Sequence, residues 1–65
     1  MKDFQQRVVS EKVGLDANLG RLKSFFGDAT FSQLNETDQD LLRRQADVMS
    51  EYSNILGKRI SRFVN

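Results

Sequence analysis

The stretch Asn35–Phe63, NETDQDLLRRQADVMSEYSNILGKRISRF, holds the longest continuous helical pattern in the chain and decides its fold. Leu42, Met49, Leu56 and Phe63 recur by sevens along one row. Leu41, Val48 and Ile55 recur by sevens along the row beside it, with Tyr52 and Ile60 adjoining. A helix facing one antiparallel neighbour needs only a narrow apolar seam. This one carries clearly more than that. Its start is marked by Asn35 as the expected N-cap, with Thr37 as competitor. Glu36, Asp38 and Asp40 crowd the first turns, and Lys58, Arg59 and Arg62 the last. The helix dipole favours each charge where it stands, so this segregation needs no partner to explain it.

Upstream, Phe4, Val8, Leu15, Leu19, Leu22 and Phe26 form a second helical stripe, with Phe25 on its flank. Glu11 and Asn18 occupy positions on it that would ordinarily be apolar. Asp3 is the expected N-cap, with Gln6 completing a capping-box-like pair. Gly27 is placed to end the helix in the left-handed conformation. The spacing predicts a first helix over about 3–26, a rod of roughly 36 Å. Gly14 and Gly20 fall inside it, each at a cost of about 1 kcal/mol relative to Ala, so a solvent-facing position is expected for both. In the connection, 27–34, Thr30 and Gln33 form another capping pattern, predicting a short turn from Phe31 to Leu34. Phe31 and Leu34 would then fold onto the end of a hairpin. The second helix is expected over about 35–63. The fold class is therefore all-α: one antiparallel two-helix hairpin domain with a short helical turn in its connection.

With 65 residues the chain is in the range where a core is marginal, burying only about 60% of its unfolded surface. It has no Cys and no His, which removes disulfides, thiolate and imidazole nucleophiles and bases, and the commonest metal ligands. A partner subunit is the remaining way to enlarge the core. The first helix offers one stripe to cover two rows, so self-association into a four-helix bundle or higher oligomer is expected. Leu41, Val48, Met49, Tyr52, Ile55 and Leu56 are the expected interface. The alternative is a monomer whose long Lys and Arg stems screen the second row.

Ten basic and nine acidic residues nearly cancel, which disfavours DNA or RNA as partner. Apolar runs never exceed two residues, so no membrane span is expected, nor a secretory signal, and the cytoplasm is the default expectation. No glycine-rich phosphate loop, calcium loop or transition-metal set is legible, and the serines lack a base. No enzyme, metal or cofactor is expected.

Gln45, Tyr52 and Arg59 recur by sevens beside the apolar rows. In the predicted hairpin Glu11 lies roughly opposite Ile55 and Arg59, and Asn18 near Val48 and Tyr52. A carboxylate at Glu11 on a buried stripe would need Arg59 as partner. The seam Glu11, Gln45, Tyr52 and Arg59 has two readings. It fixes register and oligomer state, or it lines a pocket where Tyr52 stacks on a planar group while Arg44 or Arg59 holds a phosphate.

The segments FQQRVVSEK at Phe4–Lys12, LDANLGRLKSFF, and DQDLLRRQADVMSEYSNILGKRI resemble a family of short helical proteins encoded by tailed phages and prophages. The resemblance spans nearly the whole chain, and FQQRVV and RRQ…MSEYSNIL are its most specific pieces. It implies a small accessory phage product in the bacterial host cytoplasm, and assigns no functional residues. Such products commonly act by stoichiometric binding. The first expectation is a host factor bound in counter-defence through Arg43, Arg44, Gln45, Tyr52 and Arg59. The alternative is an oligomeric sponge that sequesters a linear or cyclic nucleotide messenger, as known sponges include oligomers of small helical proteins. A structural self-assembly module is the third.

Overall fold

The computed structural model describes residues 2–63. Three helices follow in order: α1 (Asp3–Phe25), α2 (Ala29–Ser32) and α3 (Glu36–Ser61). α1 and α3 pack along their lengths as a hairpin with the short α2 between them, the expected all-α architecture. The molecule is a rod of 49 × 14 × 13 Å. Its radius of gyration is 15.0 Å, against about 11 Å for a compact domain of this length. An elongated pair of helices has one seam and no interior beyond it. The buried apolar residues are accordingly few: Val8, Leu19, Phe31, Ala46 and Leu56.

The helix ends follow local side-chain chemistry, with corrections to three expected caps. Lys2, rather than Asp3, precedes α1, and its backbone N–H donates to Gln5 Oε1 at 3.0 Å. Gln5 therefore makes the bond expected of Gln6, and Asp3 opens the helix, where the dipole favours a carboxylate. Gly27 is not a left-handed cap, since no described glycine has a positive φ. The chain instead leaves α1 through tight turn bonds, Gly27 N–H to Ser24 O at 3.2 Å and Asp28 N–H to Phe25 O at 2.9 Å. Asp28 then caps α2, its Oδ1 accepting from the Thr30 N–H at 2.7 Å. That short carboxylate takes the role expected of Thr30 and moves the turn forward to Ala29–Ser32. Asn35 caps α3 as expected, accepting from the Asp38 N–H at 2.9 Å.

Phe31 closes the connected end of the hairpin. It is 5% exposed, with ring centroids 5.7 Å from Phe25 and 5.0 Å from Phe26. Gln39 Nε2 donates to the carbonyls of Phe31 and Leu34, both at 3.0 Å, so the loop's carbonyls are satisfied from α3. At the open end Phe4 meets Phe63 edge to face at 6.0 Å.

Along α1, Val8 and Leu19 are buried and Leu15 and Leu22 half-buried, as the stripe predicts, whereas Phe4 is 56% exposed, Phe26 packs on Phe31 just past the helix, and Glu11 and Asn18 do not interrupt the stripe. Both are exposed, and Asn18 is hydrogen-bonded to Arg21 of its own helix. No Glu11–Arg59 ion pair forms among the described residues. The polar position on the stripe is Lys12. A 3.6-residue period lets a face step from Val8 to either i+3 or i+4 before reaching Leu15. The chain takes i+4, because a Lys stem can pack like an alkyl chain while its amine reaches the edge.

Candidate functional site

Burial separates the two apolar rows of α3. Leu42 and Met49 are half-buried and Leu56 is 0% exposed, so this row faces α1 together with Ala46 and Ser53. The other row stands in solvent, with Leu41 52%, Val48 69% and Ile55 45% exposed. Leu56 is therefore wholly engaged within the hairpin and is removed from the expected oligomer interface; Met49 reaches only its margin.

Gln45, Tyr52 and Arg59 lie in the same exposed strip. Leu41, Gln45, Val48, Tyr52, Ile55 and Arg59 follow one another by alternate steps of four and three, which keeps them on one face of a helix. Tyr52 is 40% exposed, and Gln45 and Arg59 are exposed beside it. Gln45 Nε2 approaches Met49 Sδ at 3.8 Å, a weak contact that leaves the amide available. Arg59 makes no ion pair among the described residues. Arg44 edges the strip from the other side, held loosely by Asp40 at 3.9 Å. Arg43 does not belong to it. Two residues from Gln45, it projects roughly 160° away around the helix. Its guanidinium sits over the Phe31 ring, 5.3 Å from the centroid, where its role is packing of the connection.

A second polar cluster lies across the α1–α3 seam. Lys12 Nζ donates to Asp16 Oδ2 at 2.8 Å and to Ser53 Oγ at 2.9 Å, and Ser53 Oγ donates to Asp16 Oδ1 at 2.5 Å. The Lys12 hydrogen bond, then that from Ser53, hold the Asp16 carboxyl below its ordinary range. This trio is absent from the residues expected from the sequence. The available signal was Lys12 and Asp16 one turn apart on the inner face, opposite a small residue in the α3 row. The three side chains are spent on one another across the seam, so the trio acts as a clamp between α1 and α3.

Among the described residues, no group of three or more Asp or Glu side chains could hold a metal ion. No described helix is long and apolar enough to cross a membrane. The site is thus a surface strip: an apolar line for contact, a phenol ring for stacking, and amide and guanidinium groups for oxygens.

No curated protein and no solved structure matches the chain. A family model described as Sequestin matches residues 2–62, and on that match, which covers both long helices and the α3 strip, the chain belongs to the Sequestin family.

Proposed function

We propose that the chain is a non-enzymatic sequestering protein that withdraws a nucleotide messenger by stoichiometric binding along the exposed strip of α3. The observation that carries this reading is the line of Gln45, Tyr52 and Arg59 set among Leu41, Val48 and Ile55. Tyr52 presents a half-open aromatic face of the kind on which a base stacks. Arg59 is a cation with no internal partner among the described residues, and guanidinium matches phosphate oxygens in pairs. Gln45 carries both a donor and an acceptor for a base edge. The family's name agrees with sequestration and leaves the cargo open.

The setting we propose is a phage or prophage product acting in the cytoplasm of the bacterial host, against defence signalling. Self-association is part of this reading, because a single exposed helix face cannot enclose a ligand, whereas two such faces can. The test is calorimetry with a panel of linear and cyclic di- and trinucleotides. Saturable heat at a fixed ratio to protein supports the reading, and no heat with any of them overturns it.

A host protein is the second reading, favoured by the same unpaired apolar row, which suits a partner helix as well as a ligand. Its mark would be one host protein captured from lysate at constant stoichiometry and lost when Val48 is replaced by Asp.

A further inference from the structure

We infer that the exposed row of α3 is covered by the same row of a second copy, running antiparallel, with the two-fold axis passing at Val48. The apolar row is symmetric about that residue: Leu41 and Ile55 each lie seven positions away. Antiparallel pairing therefore sets Val48 against Val48 of the partner subunit. Leu41 then meets Ile55 of the partner subunit at both ends, about 10 Å from the axis.

Charge selects this register. A two-fold of this kind brings each flank of the row beside the same flank of the other copy. On one flank Arg44 comes level with Glu51 of the partner subunit, and Lys58 with Asp40 of the partner subunit. On the other, Arg59 comes level with Asp38 of the partner subunit, and Tyr52 with Gln45 of the partner subunit. Each charged pair is of opposite sign and occurs twice. Sliding one copy by about a heptad would instead oppose Arg44 to Lys58 and Glu51 to its own copy. Parallel pairing would stack the acidic starts, Glu36, Asp38 and Asp40, and the basic ends, Lys58, Arg59 and Arg62. Like charges at such positions are destabilising. The dipole-driven segregation along α3 thus also makes the helix complementary to its own reverse.

The surface balance agrees. The chain exposes 4957 Å², above the roughly 4,200 Å² expected of a compact monomer of 7.5 kDa. Of the exposed large hydrophobic residues among those described, Leu41, Val48, Tyr52 and Ile55 share this one face, and Phe4 and Val13 lie on α1. The pairing stands without the nucleotide reading. It adds to that reading one point: the Gln45 and Tyr52 side chains of both copies would line a single groove on the same side of the dimer.

The chain has no cysteine, so single substitutions report the register directly. Val48→Cys should oxidise to a covalent dimer, because facing helices bring level positions within disulfide reach. Leu41→Cys alone should not, since its two copies would lie about 21 Å apart along the axis. Mixing Leu41→Cys with Ile55→Cys should give the crossed dimer. Arg44→Glu should weaken self-association in sedimentation, and Arg44→Glu with Glu51→Arg should restore it. Efficient Leu41→Cys self-crosslinking, or a Val48→Cys variant that stays uncrosslinked, overturns the pairing. Either result obtained while nucleotide heat persists would leave the ligand reading standing with the copies associated in another register, so the two fail separately.

Discussion

Lys12 of α1 donates to the Ser53 hydroxyl of α3 at 2.9 Å after its stem has crossed Gly57, where an added β-carbon would stand 3.4 Å from Lys12 Cε. Among the described residues, this bond and the Ser53–Asp16 bond it shares are the two side-chain hydrogen bonds that tie α1 directly to α3. Ser53→Ala should remove both links and cost about 1 kcal/mol, the usual worth of such bonds for a buried hydroxyl. Lys12→Met keeps the stem and should cost less than Lys12→Ala, which loses its packing. Urea denaturation of the three variants checks the order. Equal losses for Met and Ala would mean that the amine, not the stem, carries the contribution.

The same trio predicts a pH dependence. Asp16 accepts from Lys12 and from Ser53, and its carboxyl is held below the ordinary aspartate value of 3.8 in the folded chain. A carboxyl depressed on folding contributes stability that is present above its unfolded value and is lost as pH falls through the folded one. Stability should therefore drop below about pH 4, and Asp16→Asn should flatten that acid limb. Melting temperatures of both proteins between pH 2 and 6 check it; an unchanged limb in the variant would place the acid sensitivity elsewhere.

Gly14 and Gly20 offer the opposite experiment. A β-carbon at either would meet nothing within 4 Å, so Ala adds helix propensity without a clash. Each substitution should stabilise by up to about 1 kcal/mol, roughly 4–8 °C in Tm for a domain of this size. The two should add, because the sites share no partner. Gly57→Ala should also be accommodated, its β-carbon coming to ordinary contact distance, 3.4 Å, from Lys12 Cε.

The two rows of α3 should answer mutation differently. Leu56 is fully buried against α1, so Leu56→Ala should cost about 2–5 kcal/mol, enough to unfold a chain with so few core residues. Val48 stands in solvent in the single chain, so Val48→Asp should leave the helical circular dichroism intact at high dilution and abolish self-association. A Val48→Asp variant that loses its helicity at every concentration would show instead that hairpin folding itself depends on the second row.

How far this was legible in the sequence follows from which physics is local. The hairpin could be read because sevenfold apolar spacing and Asn35 act within a few turns of one helix. The cap at Lys2, the Asp28 turn and the placement of Lys12 could not, because each turns on a shift of one or two residues that packing decides, at Lys2 even against the cap preference for Asp3. Glu11 illustrates the limit: a step of three and a step of four from Val8 both reach Leu15, and only packing against Gly57 and Ser53 decides for Lys12. At the strip, the sevenfold spacing shows Gln45, Tyr52 and Arg59 as a line, whereas nothing local separates Arg43 from Arg44, and only the Phe31 ring beneath Arg43 does so.

That difference between adjacent arginines gives a test of the ligand surface. Tyr52 and Arg59 are exposed, and neither side chain makes a hydrogen bond or ion pair among the described residues, so Tyr52→Ala and Arg59→Ala should both fold. A base–aromatic stack is worth about 1–3 kcal/mol, so Tyr52→Ala should weaken nucleotide binding by roughly 5- to 150-fold. Arg59→Ala should weaken it comparably and flatten its salt dependence, because the phosphate contact is electrostatic. Arg43→Ala should instead lower the melting temperature, having lost its place over Phe31, while leaving the affinity of the folded protein unchanged. Calorimetry paired with melting curves separates the two effects. Should Arg43→Ala weaken binding as much as Arg59→Ala, the ligand would have to sit on the connection side of α3, and the strip through Val48 would be left to the second copy alone.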